Sequence, residues 1–93
     1  MLYVVAYDVS DDKVRLRMSQ VLLRFGERVQ ESVFECRLSR SQLDRMVNEC
    51  GQELRSDSAA HMRVYQICQT CERAAFGLGA VKRSVLANPA IIV

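Results

Sequence analysis

Apolar residues recur along this chain with two rhythms, and the switches between them mark its elements. Leu2-Tyr3-Val4-Val5-Ala6-Tyr7 is too short for a buried helix and rich in strand formers, so it predicts a buried central strand. The run stops at Asp8, which places that acid at the carboxyl end of the strand. Ser10 is a good N-cap, and Asp11 and Asp12 suit the positive end of a helix dipole. Val14, Met18, Val21, Leu22 and Phe25 then share one helical face, and Gly26 is expected to end the helix as a C′ residue. Leu16 and Leu23 point the opposite way and hint at a second contact surface.

Between Arg28 and Leu38 the alternation of Val29, Val33, Phe34, Cys36 and Leu38 shifts phase near Ser32-Val33. That shift predicts two short strands, or one strand broken by a bulge. Ser39 with Gln42 forms a capping box ahead of a second amphipathic helix marked by Leu43, Met46, Val47, Cys50 and Leu54. Asp57-Ser58 is a polar turn, and His61 to Cys68 is a further strand. From Gln69 the order weakens: Gly77 and Gly79 loosen the chain, and Asn88-Pro89 marks a turn. Ile91-Ile92-Val93 is a strand-like triplet that needs a covering surface, which pairing across a dimer would supply.

The element order, with right-handed crossovers, predicts an α+β ferredoxin-like βαββαβ sandwich, its antiparallel sheet carrying both helices on one face. Residues 1–93 form one domain, and about 80–93 form an extra C-terminal strand segment expected to pair with a partner subunit. There is no internal repeat and no low-complexity segment.

At 93 residues the burial fraction is modest, which favours an oligomer that hides more apolar surface. Apolar residues at 49% and charged residues at 26% exclude a disordered chain. A net charge of +2 does not announce nucleic-acid binding; clustering of the basic residues matters more. No basic leader precedes an apolar core at the start, and no run is long enough to span a bilayer. The expectation is a cytoplasmic protein with no membrane partner and with four reduced cysteines.

Asp8 is open to three roles: a solvated acid, a helix-entry residue, or a ligand for a hard cation. One carboxylate holds Mg²⁺ only with waters and substrate phosphates, or with a second copy of itself across a twofold axis. Lys13, Arg15, Arg17, Arg24 and Arg28, with Arg37 and Arg40 further on, form either a solvated face or a phosphate-binding cluster bordering the Asp8 end of the sheet. The glycine- and aromatic-rich signature of base-stacking sheets is absent, so Tyr3, Tyr7, Phe34 and Tyr65 are simpler as core or strand-end residues. Cys68-Gln69-Thr70-Cys71 is a lone C-x-x-C. Zinc would need two more ligands, from a second copy of the pair, because Cys36 and Cys50 occupy apolar positions. A redox pair would need a helix start after a first strand, which the position does not offer, so a structural role is expected. His61 is expected at a strand end on the surface. No Ser-His-Asp order, Walker loop, dinucleotide fingerprint or H-E-x-x-H is present, so the familiar hydrolase and nucleotide-dependent chemistries are not supported.

Tyr3-x-x-x-Tyr7-Asp8-Val9-x-Asp11, the helix with spaced arginines, and Phe25-Gly26-Glu27-Arg28-Val29-Gln30-Glu31-Ser32-Val33-Phe34-Glu35 together resemble the CRISPR-associated protein 2 family. That family is the small partner of the CRISPR integrase in spacer acquisition. The resemblance is strong over about the first 40 residues and looser through Arg63-Val64-Tyr65 and the Cys68/Cys71 pair. It implies a homodimer of ferredoxin-like subunits in which Asp8 faces its dimer mate and binds a divalent ion, typically Mg²⁺. It implies a metal-dependent endonuclease acting on single-stranded RNA or double-stranded DNA. Tyr7, Arg15, Arg17, Arg28 and Phe34 match family positions tied to activity, and Ile91 to Val93 match a terminal strand that adds to the partner's sheet. The competing expectation is a non-catalytic dimeric scaffold that bridges integrase dimers and binds protospacer DNA. A third is a ferredoxin-like regulatory domain for a small ligand.

Overall fold

Leu2–Asp8 forms strand β1, and the helix that follows, α1, spans Asp12–Leu23. Strands β2 (Glu27–Gln30) and β3 (Val33–Arg37), helix α2 (Arg40–Leu54), strand β4 (His61–Ile67) and helix α3 (Gln69–Ala74) complete the order. The structure, a computed structural model, describes residues 1–79; the proposed C-terminal strand segment and the Asn88-Pro89 turn lie outside them. The sheet order is β2-β3-β1-β4 and every neighbouring pair is antiparallel, the ferredoxin-like α+β arrangement the sequence predicts.

Strand alternation decides which residues meet the helices. On β1, Tyr3, Val5 and Tyr7 are buried on the helix side, level with Cys36 and Phe34 on β3 and with Val64 and Met62 on β4. The predicted α1 face supplies Val14, Met18, Val21 and Leu22, and α2 adds Met46 and Cys50. Val5, Met18, Leu22, Phe34, Cys36, Met46 and Cys50 are fully buried, and each large apolar side chain among them contributes about 1.5–3 kcal/mol. The opposite face of the sheet has no α1 or α2 across it. Val4, Ala6 and Asp8 lie there with Val33 and Glu35 and with Arg63 and Tyr65, the latter 48% exposed.

Four local expectations meet the structure differently. The helix α1 N-cap is Asp11, not Ser10: the Asp11 carboxylate accepts the N–H groups of Val14 at 3.0 Å and Lys13 at 2.9 Å. These bonds, Val14's first, hold the Asp11 carboxyl below its usual range. Gly26 is not a left-handed C′ residue, since Arg24 is the C-cap and, among the described residues, only Gly79 has a positive φ, at 80°. Glycine is needed at 26 for space: a Cβ there would lie 2.4 Å from the Glu35 carbonyl oxygen and 2.8 Å from Cys36 Cα. The phase shift near Ser32 resolves into both alternatives at once. A turn at Glu31-Ser32 separates β2 from β3, and the register between them slips between Arg28 and Gln30.

The fourth difference is α3, where a loosened chain was expected. Cys68 is its N-cap, the thiol sulfur accepting the Cys71 N–H at 3.4 Å. The C-x-x-C therefore does open a helix, after the fourth strand rather than the first. Arg37 on β3 clamps this helix by donating from both terminal guanidinium nitrogens to the buried Glu72 carboxylate. The capping box at Ser39 and Gln42 forms as predicted, with bonds of 2.8 and 3.3 Å.

Candidate functional site

The end of β1 is where the chain's candidate chemistry gathers. Tyr7 is the last residue of the strand to face the helices, and it is held from three sides. Its backbone N–H donates to the Ser32 carbonyl at 3.1 Å, and its hydroxyl donates to the Glu31 carbonyl at 3.5 Å. Its ring stacks on Phe34, with centroids 6.2 Å apart and planes 27° apart. The Arg28 guanidinium lies over the same Phe34 ring, 5.4 Å from its centroid. Phe34 thus carries an aromatic and a cation at once, which a buried ring does through its stacking contact and its quadrupole. Burial raises the Tyr7 phenol above its usual value, opposed by the positive charges of Arg28 and Arg15.

Arg15 comes from α1 and reaches back over the loop that follows Asp8. It donates to the carbonyls of Val9 at 3.2 Å and Ser10 at 3.4 Å, and pairs with Asp12. Two shallow depressions flank it. One is walled by Tyr7, Asp12, Arg15 and Arg28, the other by Tyr7, Asp8, Arg15, Glu31 and Ser32. Cationic and carboxylate groups share a small open rim, a surface suited to a polyanionic strand laid across it rather than to a swallowed small molecule.

Asp8 closes β1 at this rim and is exposed. Its register partner across the sheet is His61, so the two side chains share the open face, opposite to the face of Tyr7, Arg28 and Phe34. His61 is a surface strand-end residue, as expected, but its place beside Asp8 went unseen in the sequence. The signal was available only through topology: if the first and last strands pair antiparallel, the end of one meets the start of the other. An exposed carboxylate is chemically fit to bind a hard divalent cation with help from water and phosphate oxygens. It does not enclose one. Among the described residues no three His, Cys, Asp or Glu side chains are grouped to hold a metal ion.

The arginines do not form one cluster. Arg15 and Arg28 border the Asp8 end. Arg17 instead donates to Glu53 on α2 at 2.9 Å and to Ser56 at 3.5 Å. Arg24 pairs with Glu49 on α2, Arg37 with Glu72, and Arg40 with Asp44. The glutamates that divide this set are distant in sequence, so charge patterning within α1 alone did not reveal the division. Phe34, with no exposed surface, can act on a substrate only through the groups it supports.

The comparisons with known proteins agree with this arrangement. Residues 1–75 match the family model described as CRISPR associated protein Cas2. The chain is 40% identical over 91 residues to a Rhodospirillum rubrum protein named CRISPR-associated endoribonuclease Cas2 4, spanning 98% of this chain and 73% of that one. The crystal structure of Streptococcus pyogenes Cas2 at pH 6.5 superposes with a TM-score of 0.73 at 25% identity, covering 85% of this chain and all of that chain (100%). A chain of a solved partial Cas6-RT-Cas1–Cas2 complex superposes with a TM-score of 0.64 at 25% identity, covering 82% and 88%. No helix among the described residues is long and apolar enough to cross a membrane. With the sheet order, the Tyr7-Asp8 strand end and a family match across nearly all the described residues in agreement, this chain belongs to the CRISPR associated protein Cas2 family.

Proposed function

We propose that the protein acts in CRISPR adaptation as a homodimeric endonuclease that hydrolyses phosphodiester bonds at the Asp8 rim with Mg²⁺, in association with the CRISPR integrase. The observation that carries this proposal is that Tyr7, Asp8 and Arg15 wall one depression at the end of β1, with Arg28 lining the neighbouring one that shares Tyr7 and Arg15. The naming of relatives as endoribonucleases supports nuclease chemistry, and the likeness to a chain of a Cas1–Cas2 complex supports the integrase partner.

The open face supports the dimer. Val4, Ala6, Val33 and Tyr65 form an apolar strip there that neither α1 nor α2 covers, on the same face as Asp8. A second copy laid on that strip about a twofold axis would bring two Asp8 carboxylates toward each other. Without a cation such a pair repels, so occupancy and assembly are coupled. A bound divalent cation supplies Lewis acidity at the phosphate. Asp8 would hold the cation. Arg15 and Arg28 hold the phosphodiester oxygens and offset the charge that develops on them. Tyr7 walls both depressions, and Phe34 positions Tyr7 and Arg28. Arg17, engaged on α2, steadies α1 and takes no part in this scheme.

A second proposal is a non-catalytic scaffold for the integrase. It is favoured by the exposure of Leu16 and Leu23, 58% and 55%, on the outer side of α1. One experiment separates the two. Wild type and Asp8→Ala are assayed on labelled single-stranded RNA and duplex DNA, with Mg²⁺ and with EDTA, and sedimentation is measured for both. Metal-dependent cleavage that is lost in a still-dimeric variant is the expected result. Cleavage that survives in Asp8→Ala or in EDTA overturns the shared-aspartate site. Nucleic-acid binding without cleavage by either protein leaves the scaffold.

A further inference from the structure

Cys68 and Cys71 form a sequence motif that the function above leaves unused. Both thiols are exposed, whereas Cys36 and Cys50 are buried in the core. The Cys71 N–H donates to the Cys68 sulfur at 3.4 Å, which holds that sulfur beside Cys71. The Cys71 backbone bond and the thiol–thiol bond hold the Cys68 thiol below its usual value, and the same neighbour raises that of Cys71. Burial pushes Cys36 up to about 11 and Cys50 to about 12. Thiolate, not thiol, is the nucleophile, so the chain carries one reactive pair and one inert pair.

We propose that Cys68 and Cys71 form a thiol–disulfide exchange site, with Cys68 as attacking thiol, Cys71 as resolving thiol, and small disulfides such as glutathione disulfide as substrate class. The Cys68 thiolate attacks one sulfur of glutathione disulfide. The S–S bond breaks, a mixed disulfide forms on Cys68, and one glutathione thiolate leaves and takes up a proton. Cys71 then loses its proton and attacks the Cys68 sulfur, releasing the second glutathione. In sum two cysteine thiols give up two electrons and two protons, and one glutathione disulfide becomes two glutathione thiols. The site sits on the short helix that Glu72 and Arg37 clamp to β3, so oxidation acts on a docked segment rather than on a free tail.

The test uses the full chain in glutathione buffers of graded redox ratio, with products followed by intact mass and peptide mapping. Wild type is expected to form the Cys68–Cys71 disulfide while Cys36 and Cys50 stay unmodified. Cys71→Ser is expected to accumulate glutathione on Cys68. Cys68→Ser is expected to react at Cys71 on the order of tenfold more slowly. Serine at the Cys68 position is itself a preferred N-cap, so that variant keeps α3, which circular dichroism checks. Equal rates in the two single variants, or no internal disulfide at any ratio, overturn the proposal. So does stoichiometric zinc that both cysteines hold and that blocks oxidation, since the pair would then be half of a metal site.

Discussion

Phe34 supports two groups of the rim without touching solvent, so its replacement by leucine separates their positioning from the integrity of the core. Leucine keeps the site apolar and branched but is smaller, so the swap also costs part of the about 3–5 kcal/mol of a full Phe→Ala truncation. What it removes is the ring. The stacked Tyr7 contact is worth about 0.5–1.5 kcal/mol. The Arg28 guanidinium over the ring adds about 0.5–2 kcal/mol, toward the upper end because Phe34 is wholly buried. The two ring contacts alone account for about 2 kcal/mol, which lowers Tm by roughly 8–16 °C in a domain this small, and the packing loss adds to it. The assay is thermal unfolding of wild type, Phe34→Leu, Arg28→Met and the double variant, with RNA binding measured on each at a temperature where all are folded. The cycle should return a coupling of about 0.5–2 kcal/mol between Phe34 and Arg28. Binding should fall in Phe34→Leu although position 34 is never exposed. Additivity within about 0.3–0.5 kcal/mol, with binding unchanged, would refute the idea that this ring positions the rim.

Arg17→Ala tests the division of the arginines. The exposed Arg17–Glu53 pair is worth about 0.2–1 kcal/mol, so Tm should drop by a few degrees while cleavage and RNA binding stay far closer to wild type than in Arg15→Ala or Arg28→Ala. Cleavage abolished at unchanged Tm would return Arg17 to the substrate. Acid unfolding tests the α3 clamp. Arg37 holds the Glu72 carboxyl below its unfolded value, so its contribution is present above about pH 4.3 and is lost as pH falls through the lower folded value. Denaturant melts should show a smaller acid-side loss for Glu72→Gln than for wild type, and parallel curves would sink the assignment.

How much of this was legible in the chain differs by interaction range. The β1 strand, the α1 face and the Ser39 capping box were readable because each depends on residues within one or two turns of one another. The Asp11 cap and the α3 start were misread for a local reason. Ser10 and Asp11 are both good caps, and only the path of the chain decides which oxygen meets the N–H groups of Lys13 and Val14. A cysteine N-cap on a six-residue helix carries no apolar period to announce it. Gly26 was singled out correctly but for the wrong cause, since its neighbour Glu35 belongs to another strand. The Asp8–His61 register and the Arg17–Glu53 bond join residues that only the sheet order and the helix packing bring together.

The β2–β3 hairpin tip is tied to Tyr7 twice, through the Ser32 carbonyl and the Glu31 carbonyl. Exposed turns are ordinarily where a fold accepts added residues, because little depends on their backbone. Here the turn is the far wall of the rim. A residue inserted at Glu31-Ser32 would shift both carbonyls away from Tyr7, and with them the Arg28 side of the site. A tag or grafted loop is better sited in the Asp57–Ala60 turn between α2 and β4, whose hydrogen bonds close on themselves.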